Sequence, residues 1–274
     1  MQVRIEDDFD LEKIADSGQC FRFNECGDGY SIVAGDKYLF VKKTGEREYD
    51  FSCDEKEFKG FWKNYFDLET SYSDIRHRID KEQDEYLFRA SEFGKGIRIL
   101  RQDPWEMLIS FIISQRKNIP AIKAAIEKLC ALAGDKIAED TEGKDVYSFP
   151  TPLQLSKVPM EQLSACSLGY RDKYVHRAAL DVVSGVCDLD SYKKLTDEEL
   201  MEKLLELFGV GVKVANCEIL FGYHRLDAFP KDVWINRVLE QRYPEGFLFE
   251  KYAPYNGVMQ QYLFFYSRSE GTGN

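Results

Sequence analysis

The sequence lacks the long apolar segments of a membrane protein. No run approaches the ~18–20 apolar residues that a membrane-spanning helix needs, so we expect no contact with a membrane. The first residues, MQVRIEDDFDLEKIADSG, carry acids where a signal peptide has basic residues followed by an apolar core. We therefore expect an intracellular protein, in the cytoplasm or with the nucleoid.

Histidine is scarce and cysteine is scattered. His77, His176 and His224 lie far apart in the sequence, and we interpret them as surface or packing residues. The seven cysteines form no CxxC pair. Their odd number, in a chain of intracellular type, favours free thiols over a disulfide framework or a zinc site. We therefore predict no metal site of this kind.

The chain also lacks an excess of basic residues. Lysine and arginine number 37 against 48 aspartates and glutamates, which gives a formal net charge of −11. This balance counts against nucleic acid as a partner, because phosphate binding needs a basic face. The net value hides the distribution, however, since SQRKNIPAIKAAIEK (114–128) and GYRDKYVHRAAL (169–180) are locally basic. The charge alone does not decide the question.

Two regions of the chain differ in hydrophobic period. Residues 19–53 alternate apolar and polar, with punctuating glycines, which is typical of an antiparallel meander. From about Asp54 onward the apolar residues recur at helical spacing, and we predict only helices there. The pattern predicts an α+β chain with a small N-terminal antiparallel β domain (1–83) and a larger helical domain (84–274).

The segment TDEELMEKLLELFGVGVKVANC (196–217) predicts two helices joined by a glycine turn. The first helix opens with the spacing of a capping box and has an apolar stripe that ends at Phe208. Gly209 fits the C′ position, where a positive φ is cheap for glycine. The second helix is predicted from about Val212 to Tyr223. The segment therefore predicts a helix-hairpin-helix unit.

Such a turn can bind an anion. The backbone N–H groups at the start of the second helix, from Val212, and the helix dipole suit a DNA phosphate. Gly209 and Gly211 would keep Cβ atoms away from the approaching nucleic-acid backbone. A simple helix connection with a glycine C-cap is an equally good interpretation of these residues alone.

Lys213 lies in the first turn of the second helix. The positive end of the dipole and partial burial both disfavour an ammonium there, so a free amine should be available. A free amine beside a DNA backbone can attack the sugar C1′ and form a Schiff base. The alternative is a solvated lysine that contacts phosphate.

Asp232 is the candidate carboxylate partner. It follows Pro230 in AFPKDVWINRVLEQRY (228–243), and we expect it to cap the helix that begins there. A carboxylate near the sugar would stabilise the positive charge that develops when a glycosidic bond breaks. One helix and a loop separate Asp232 from Lys213, a path that would bring both helix starts to the same edge of the domain.

These segments resemble a known family. The pattern FGVGVKVANC…FPKDVW resembles the helix-hairpin-helix, Gly/Pro-rich loop and Asp signature of DNA glycosylases, and more narrowly of the 8-oxoguanine DNA glycosylases. Further matches in the family's order are DSGQCFRF (16–23), QDPWEMLISFIISQRKNI (102–119), LGYRDKYV (168–175) and APYNGVMQQYLFF (253–265). The resemblance implies a TATA-binding-protein-like β domain joined to helical domains.

The resemblance also implies an activity. The protein would remove 8-oxoguanine from duplex DNA in base excision repair and then cleave the strand by β-elimination, as a bifunctional DNA glycosylase and lyase. Lys213 would be the Schiff-base nucleophile and Asp232 its essential acid. No metal or organic cofactor would be needed, although carbonyls of the hairpin turn might hold a structural monovalent cation. We expect a monomer.

Four residues would hold the damaged base. The Gly18 carbonyl would accept a hydrogen bond from N7–H of 8-oxoguanine, a proton that guanine lacks. Gln260 would read the Watson–Crick edge, Phe264 would stack on one face, and Cys217 would line the other. For Phe264, the aromatic density of YLFFY favours core packing on the sequence alone.

The implied DNA contacts include departures from the family pattern. Tyr170, unless it packs in the core, would wedge into the duplex, and Arg171 would reach the orphaned cytosine. In SQRKNIPAI, familiar animal and fungal members have an asparagine-rich run followed by an arginine. Here Asn118 is retained, Arg116 and Lys117 replace two asparagines, and the arginine is replaced by Ala121. Trp234 stands where the family has a phosphate-contacting histidine. We therefore predict a weaker preference for cytosine opposite the lesion.

Other classes fit less well. Relatives that act on adenine or pyrimidines usually hold an iron–sulfur cluster on C-terminal cysteines, and none follows Cys217 here. The branch that removes alkylated bases generally lacks the lysine at position 213. A non-catalytic helix-hairpin-helix DNA-binding protein would gain nothing from Lys213 and Asp232. A small-molecule enzyme with no DNA partner would fit the acidic charge better, and salt-dependent binding to duplex DNA would exclude it.

Overall fold

The N-terminal part is a five-stranded antiparallel sheet in the computed structural model, which describes residues 1–271. Its strands are β1 (Gln2–Arg4), β2 (Phe23–Cys26), β3 (Gly29–Ala34), β4 (Lys37–Gly45) and β5 (Glu48–Phe51), in the spatial order β1-β5-β4-β3-β2. The predicted meander is confirmed for β2 to β5. Strand β1, which pairs with β5 at one edge, was not predicted.

The sheet and the helical region have separate hydrophobic cores. The sheet packs its inward residues, among them Ile32 and Leu39 of paired strands, against a buried aromatic group that includes Trp62 and Phe66. Leu100 also belongs to this core, whereas Tyr72 already packs in the helical one. Chain segments therefore cross between the two cores, and the boundary after residue 83 stays a prediction.

The remainder is mostly helical. Its α-helices, with α1 in the N-terminal part, are α1 (Leu11–Asp16), α2 (Glu55–Glu57), α3 (Lys63–Tyr65), α4 (Tyr72–Arg76), α5 (Glu85–Phe93), α6 (Pro104–Ser114), α7 (Ile119–Ala133), α8 (Pro152–Ser156), α9 (Met160–Ala165), α10 (Asp172–Val183), α11 (Leu189–Tyr192), α12 (Asp197–Leu205), α13 (Val212–Cys217), α14 (Val233–Arg242), α15 (Phe249–Tyr252) and α16 (Asn256–Gly271). π-Helical turns span Phe58–Trp62 and Glu218–Gly222, and a 3-10 turn spans Gly169–Arg171.

A second, two-stranded sheet interrupts the helices. It consists of β6 (Lys136–Glu139) and β7 (Asp145–Tyr147), so the prediction of helices alone after Asp54 is wrong here. The connecting turn is stabilised locally, because the Asp140 side chain accepts hydrogen bonds from the backbone N–H groups of Glu142 and Lys144, each at 2.9 Å. This turn chemistry was present in the sequence as DTEGK.

Side-chain caps fix the helices that carry the site. Asp103 caps α6 by accepting from the Glu106 N–H at 3.0 Å, with Pro104 in the first turn. Every residue of α6 is buried, which makes this helix the centre of the helical core. Thr196 and Glu199 form the predicted capping box of α12, with reciprocal bonds of 3.2 and 2.9 Å.

The structure also tests the expectations for the cysteines and for His224. All seven cysteines are free thiols. His224 is a packing residue, whose Nε2 lies 3.1 Å from the Ile99 carbonyl oxygen and 3.3 Å from an Asp67 carboxylate oxygen. Across residues 1–271, no helix combines the length and apolar character needed to cross a membrane.

Candidate active site

The glycine turn joins α12 to α13. Gly209 has φ +87°, which confirms the predicted left-handed conformation. A Cβ at Gly209 would collide with the ring of Tyr174, so this glycine serves internal packing and not the clearance of space for DNA that we expected. Gly211 is the N-cap of α13, and a Cβ there would meet open space. Of the two glycines, only Gly211 has open space in the direction of a Cβ.

The predicted apolar stripe of α12 is wrong at its last residue, Phe208. Phe208 was expected to pack inward with that stripe, but 56% of it is exposed. Its ring meets Tyr174 edge-on, with the two centroids 4.9 Å apart. The turn after Leu205 ends the helical period, so Phe208 points away from the core and lies on the hairpin surface.

Lys213 lies half-buried in the first turn of α13. Its Nζ is 5.3 Å from the ring centroid of Phe111, which α6 delivers from the core. Within residues 1–271, no carboxylate lies within 4.0 Å of this amine, whereas the preceding residue, Val212, is 64% exposed. The Lys213 amine therefore lies beside an aromatic ring at the edge of the domain. It has no salt-bridge partner in the described chain.

Asp232 is the N-cap of α14, as predicted, and accepts from the Ile235 N–H at 2.9 Å. Burial raises the pKa of the Asp232 carboxyl above its ordinary value. The Ile235 N–H and the positive charge of Lys213 counteract that rise by favouring the carboxylate. Lys213 and Asp232 therefore lie close enough to influence each other, which is the arrangement that the helix-and-loop path predicted.

Cys217 ends α13 one turn after Lys213 and is buried. Burial raises the pKa of the Cys217 thiol, and nearby Lys213 counteracts the shift. The predicted continuous helix to Tyr223 is wrong beyond this point, because a π-helical turn follows at Glu218–Gly222. Glu218 is fully buried, and neither of its carboxyl oxygens has a hydrogen-bond partner among residues 1–271. Desolvation raises the pKa of Glu218 well above its usual range.

Gly18 and Phe264 are brought together from opposite ends of the chain. Gly18 has φ +77°, and a Cβ there would lie 3.0 Å from Cε1 of Phe264. Phe264 is half-buried on α16, so it packs against the helical core as expected but keeps part of its ring exposed. The Arg268 guanidinium carbon lies 5.3 Å from the Phe264 ring centroid. The backbone of Gly18 and the ring of Phe264 therefore form two walls of one corner.

Gln260 connects α16 to the loop that precedes Asp232. It is only 3% exposed, and its Nε2 donates to the Pro230 carbonyl oxygen at 3.0 Å. Its Oε1 accepts from Nε2 of Gln261 at 3.1 Å. The side chain is therefore held in one orientation before any ligand binds.

The two predicted duplex contacts after α9 behave differently. Tyr170 is 51% exposed, which excludes the core alternative. Arg171 is only 6% exposed and stacks on Tyr170, with 4.4 Å from its guanidinium carbon to the ring centroid. Its guanidinium donates to the carbonyl oxygens of Leu168, at 3.0 Å, and Gln115. In this conformation Arg171 supports Tyr170 and does not itself reach outward.

The segment between α6 and α7 is basic and exposed. Arg116 has φ +53° and is exposed, and Asn118 caps α7 by accepting from the Ala121 N–H at 2.9 Å. Lys117 donates to the carbonyl oxygen of Ser167. Trp234 lies apart from this segment, on α14, where its ring packs against the end of α16 at Gly271. The bonds from Lys117 to Ser167 and from Arg171 to Gln115 thus join this segment to the one that carries Tyr170.

Several neighbours of the site were not predicted from the sequence. Gln19 and Gln115 stand inside the family motifs, beside Gly18 and Arg116, and this adjacency was the available signal. Arg268 lies beyond the last motif and carried no signal. It donates to the Asp16 carbonyl oxygen at 2.9 Å. Burial lowers the pKa of Arg268, while Asp16 and Asp232 oppose the shift, so this arginine lies between the Gly18 loop and the Asp232 carboxyl.

Comparison with known proteins agrees with this geometry. Residues 2–108 match the model described as 8-oxoguanine DNA glycosylase, N-terminal domain, and residues 109–245 match that of the HhH-GPD superfamily base excision DNA repair proteins. The fold and the site thus define a helix-hairpin-helix base excision repair protein.

Individual relatives narrow the class. The N-glycosylase/DNA lyase of Saccharomyces cerevisiae is 30% identical over 258 residues, which cover 85% of this chain and 68% of the yeast protein. The structure of MBOgg1 with a low-affinity DNA ligand has 39% identity and a TM-score of 0.92, covering 98% of this chain and 96% of MBOgg1. The Clostridium acetobutylicum 8-oxoguanine glycosylase/lyase, with duplex DNA containing cytosine opposite 8-oxoG, has 35% identity and a TM-score of 0.89, covering 99% and 98%. The chain belongs to the 8-oxoguanine DNA glycosylase family.

Proposed function

We propose that this protein excises 8-oxoguanine from duplex DNA and then cleaves the strand at the resulting abasic site. The observation that carries the proposal is the pairing of Lys213 with Asp232 at one edge of the domain. The Lys213 amine has no carboxylate within 4.0 Å among residues 1–271, and the Asp232 carboxyl near it is partly buried. Relatives named N-glycosylase/DNA lyase support it. They also disfavour a non-catalytic helix-hairpin-helix DNA-binding protein.

The chemistry uses these two side chains in sequence. The Lys213 amine attacks C1′ of the lesion nucleotide with its lone pair and the N–C bond forms. The bond from C1′ to the base breaks with its electron pair leaving on the base, which takes up the proton that the amine loses. The Asp232 carboxylate stabilises the positive charge that develops on the sugar. Sugar ring opening gives a Schiff base on Lys213, and loss of a proton from C2′ then expels the 3′ phosphate by β-elimination.

Recognition uses the corner around Gly18. The Gly18 carbonyl accepts from N7–H of 8-oxoguanine, while guanine presents a bare N7 that would repel it. Gln260, already fixed by the Pro230 carbonyl, reads the Watson–Crick edge. The base lies between Phe264 and Cys217. These contacts offset the few kcal/mol of stacking and pairing that a flipped base loses.

The duplex is held by the backbone at Gly209, Gly211 and Val212 and by the exposed wedge Tyr170. A monovalent cation at the hairpin turn would be structural. The Gly209 carbonyl oxygen of the turn accepts a hydrogen bond from Nε2 of Gln115 at 3.0 Å, which leaves one lone pair for such a cation. The reaction needs no cofactor, and the protein acts as a monomer.

Preference for the opposite base is relaxed in this proposal. Arg116 and Lys117 replace two asparagines, Ala121 replaces an arginine, and Arg171 is occupied by the carbonyls of Leu168 and Gln115. The protein therefore has fewer directional groups for an orphaned cytosine than the family pattern offers.

Excision under single-turnover conditions tests this proposal. Four duplexes that place cytosine, adenine, guanine or thymine opposite 8-oxoguanine should be processed at comparable rates. Strict dependence on cytosine would contradict the relaxed preference but not the activity. Failure to process any of the four would contradict the activity itself.

A further inference from the structure

Gln19 is completely buried in the loop that carries Gly18. Its Nε2 donates to the Ser17 hydroxyl at 2.9 Å and to the Arg98 carbonyl oxygen at 2.8 Å. Its Oε1 accepts from the Leu100 N–H at 2.8 Å. Because both ends of this buried amide are hydrogen-bonded, the side chain of Gln19 holds its own loop against the backbone of residues 98 and 100.

The partner segment is itself rigid. The Arg98 guanidinium is fully buried and donates to the Asp8 carbonyl oxygen at 2.7 Å, the Asp67 carbonyl oxygen at 2.6 Å and an Asp7 carboxylate oxygen at 2.8 Å. Leu100 lies in the core of the sheet. Gln19 therefore ties the Gly18 loop to a segment that is anchored in both cores.

Gly18 has no side chain with which to hold its own position. Its φ of +77° is a conformation in which its neighbours must fix the direction of the carbonyl. One neighbour, Ser17, is buried and its hydroxyl donates to the Ile14 carbonyl oxygen at 2.7 Å. On the other side, Gln102 donates to the backbone carbonyl oxygen of Gln19 at 2.9 Å.

We propose that Gln19 is a positioning residue for lesion discrimination, because its side-chain hydrogen bonds fix the Gly18 carbonyl where it meets N7 of the base. This rests on the proposed function. A carbonyl that discriminates by one hydrogen bond must be placed accurately, since both the attraction to N7–H and the repulsion from a bare N7 depend on its position. Gln19 contacts no substrate and acts through Gly18.

Gln19→Met tests the proposal, since it keeps an unbranched side chain of similar length but removes the amide. We expect single-turnover excision of 8-oxoguanine to fall by about 10- to 100-fold, the effect of a small displacement of a recognition group. Cleavage of a preformed abasic site should be unchanged, because no base is present for Gly18 to read. A merely structural role would lower both rates together.

Two further variants keep the test decisive. Gln102→Ala removes only the bond to the Gln19 carbonyl oxygen from a half-buried side chain, and should lower excision selectively but less. Its two rates decide the question if Gln19→Met fails to fold. Ile32→Val, in the sheet core, is the control for general destabilisation and should change neither rate.

Parallel loss of both rates in a folded variant, or no loss of excision, would overturn the role of Gln19. A wild-type protein that cleaves abasic sites but never excises 8-oxoguanine would instead contradict the proposed function. The two failures are therefore distinguishable in the same experiment.

Discussion

At the Gly18 loop (residues 16–19), Gln19 engages both ends of its amide, whereas at the catalytic edge Lys213 has no carboxylate within 4.0 Å among residues 1–271. The Asp232 carboxyl lies near this amine, and burial raises its pKa. The buried amide of the loop is fully hydrogen-bonded before a ligand arrives, whereas the Lys213 amine at the edge has no carboxylate partner within 4.0 Å among residues 1–271. This difference indicates that recognition depends on a fixed backbone, while catalysis depends on groups left available for the substrate.

The same contrast separates two kinds of variant. A substitution at the edge should remove chemistry and leave the fold intact, because Lys213 has no ion pair to lose and asparagine can replace Asp232 as the N-cap of α14. A substitution in the loop should change which base is accepted and leave the chemistry on an abasic sugar intact. Variants of the two regions, taken in order of decreasing effect, test whether they separate in this way.

Lys213→Gln should have the largest effect. Without the amine, excision and strand cleavage should both fall at least ~10³-fold, as when a nucleophile is removed. The melting temperature should stay near that of the wild type, since no ion pair is lost. Lys231→Gln, an exposed lysine beside Asp232, is the control and should keep full activity. Strand cleavage retained by Lys213→Gln would assign the nucleophile elsewhere.

Asp232→Asn should slow excision by about 10²- to 10³-fold, because the developing positive charge loses its carboxylate. The fold should persist, since asparagine is also a good N-cap. Asp188→Asn, which changes an exposed capping aspartate of α11, is the matched control. An equal loss of rate in both variants would argue that the effect is structural.

The pH dependence follows from the same carboxyl. Burial raises the pKa of Asp232, so excision should fail on acidification at a pH above the ordinary aspartate value of ~3.9. The effect on stability has the opposite sign. The folded state holds this proton more tightly than the unfolded state, so its contribution to stability is present at low pH and is lost as the pH rises through the folded pKa. Asp232→Asn should lack this acid limb in its pH–rate profile.

Gly18→Ala should act on recognition alone. The φ of +77° and the nearby Phe264 ring leave no room for an unstrained Cβ, so the loop or the ring must move. We expect excision to fall by about 10- to 100-fold while abasic-site cleavage persists. Gly143→Ala, at φ +78° with open space around it, has the same backbone strain without the ring contact and should leave excision unchanged.

Gly211→Ala should have the smallest effect. Its φ of −106° and its open surroundings accept a Cβ, so stability should be retained. Duplex binding should weaken by less than about tenfold, or ~1.4 kcal/mol, if a DNA backbone approaches here. Gly209→Ala should instead lower the melting temperature, because its Cβ would collide with Tyr174. Unchanged duplex affinity for Gly211→Ala would remove the hairpin from the DNA interface.

Local chemistry made much of the fold predictable. The caps at Thr196 and Asp232 and the turn at Gly209 each depend on residues within a few positions of one another, and all were confirmed. The α+β division followed from a change in hydrophobic period. The β6–β7 hairpin was missed because its strands are only four and three residues long, too short for a period to emerge.

What was not predictable depends on distant parts of the chain. The contact of Gly18 with Phe264 and the bonds from Gln19 to residues 98 and 100 join segments that no local pattern connects. The π-helical turn after Cys217 places a buried Glu218 where a continuous helix was expected. Arg171 also differed, because tertiary carbonyl partners keep it buried beneath Tyr170. The roles assigned to individual site residues remain predictions.

The most direct test of the central claim is borohydride trapping on a duplex that contains 8-oxoguanine. Reduction converts a Schiff base between Lys213 and C1′ into a stable covalent adduct, visible as a slower band in denaturing electrophoresis. The account predicts an adduct with the wild-type protein and with Lys231→Gln, and none with Lys213→Gln. An adduct that survives Lys213→Gln, or excision by the wild type with no trapped species, would contradict it.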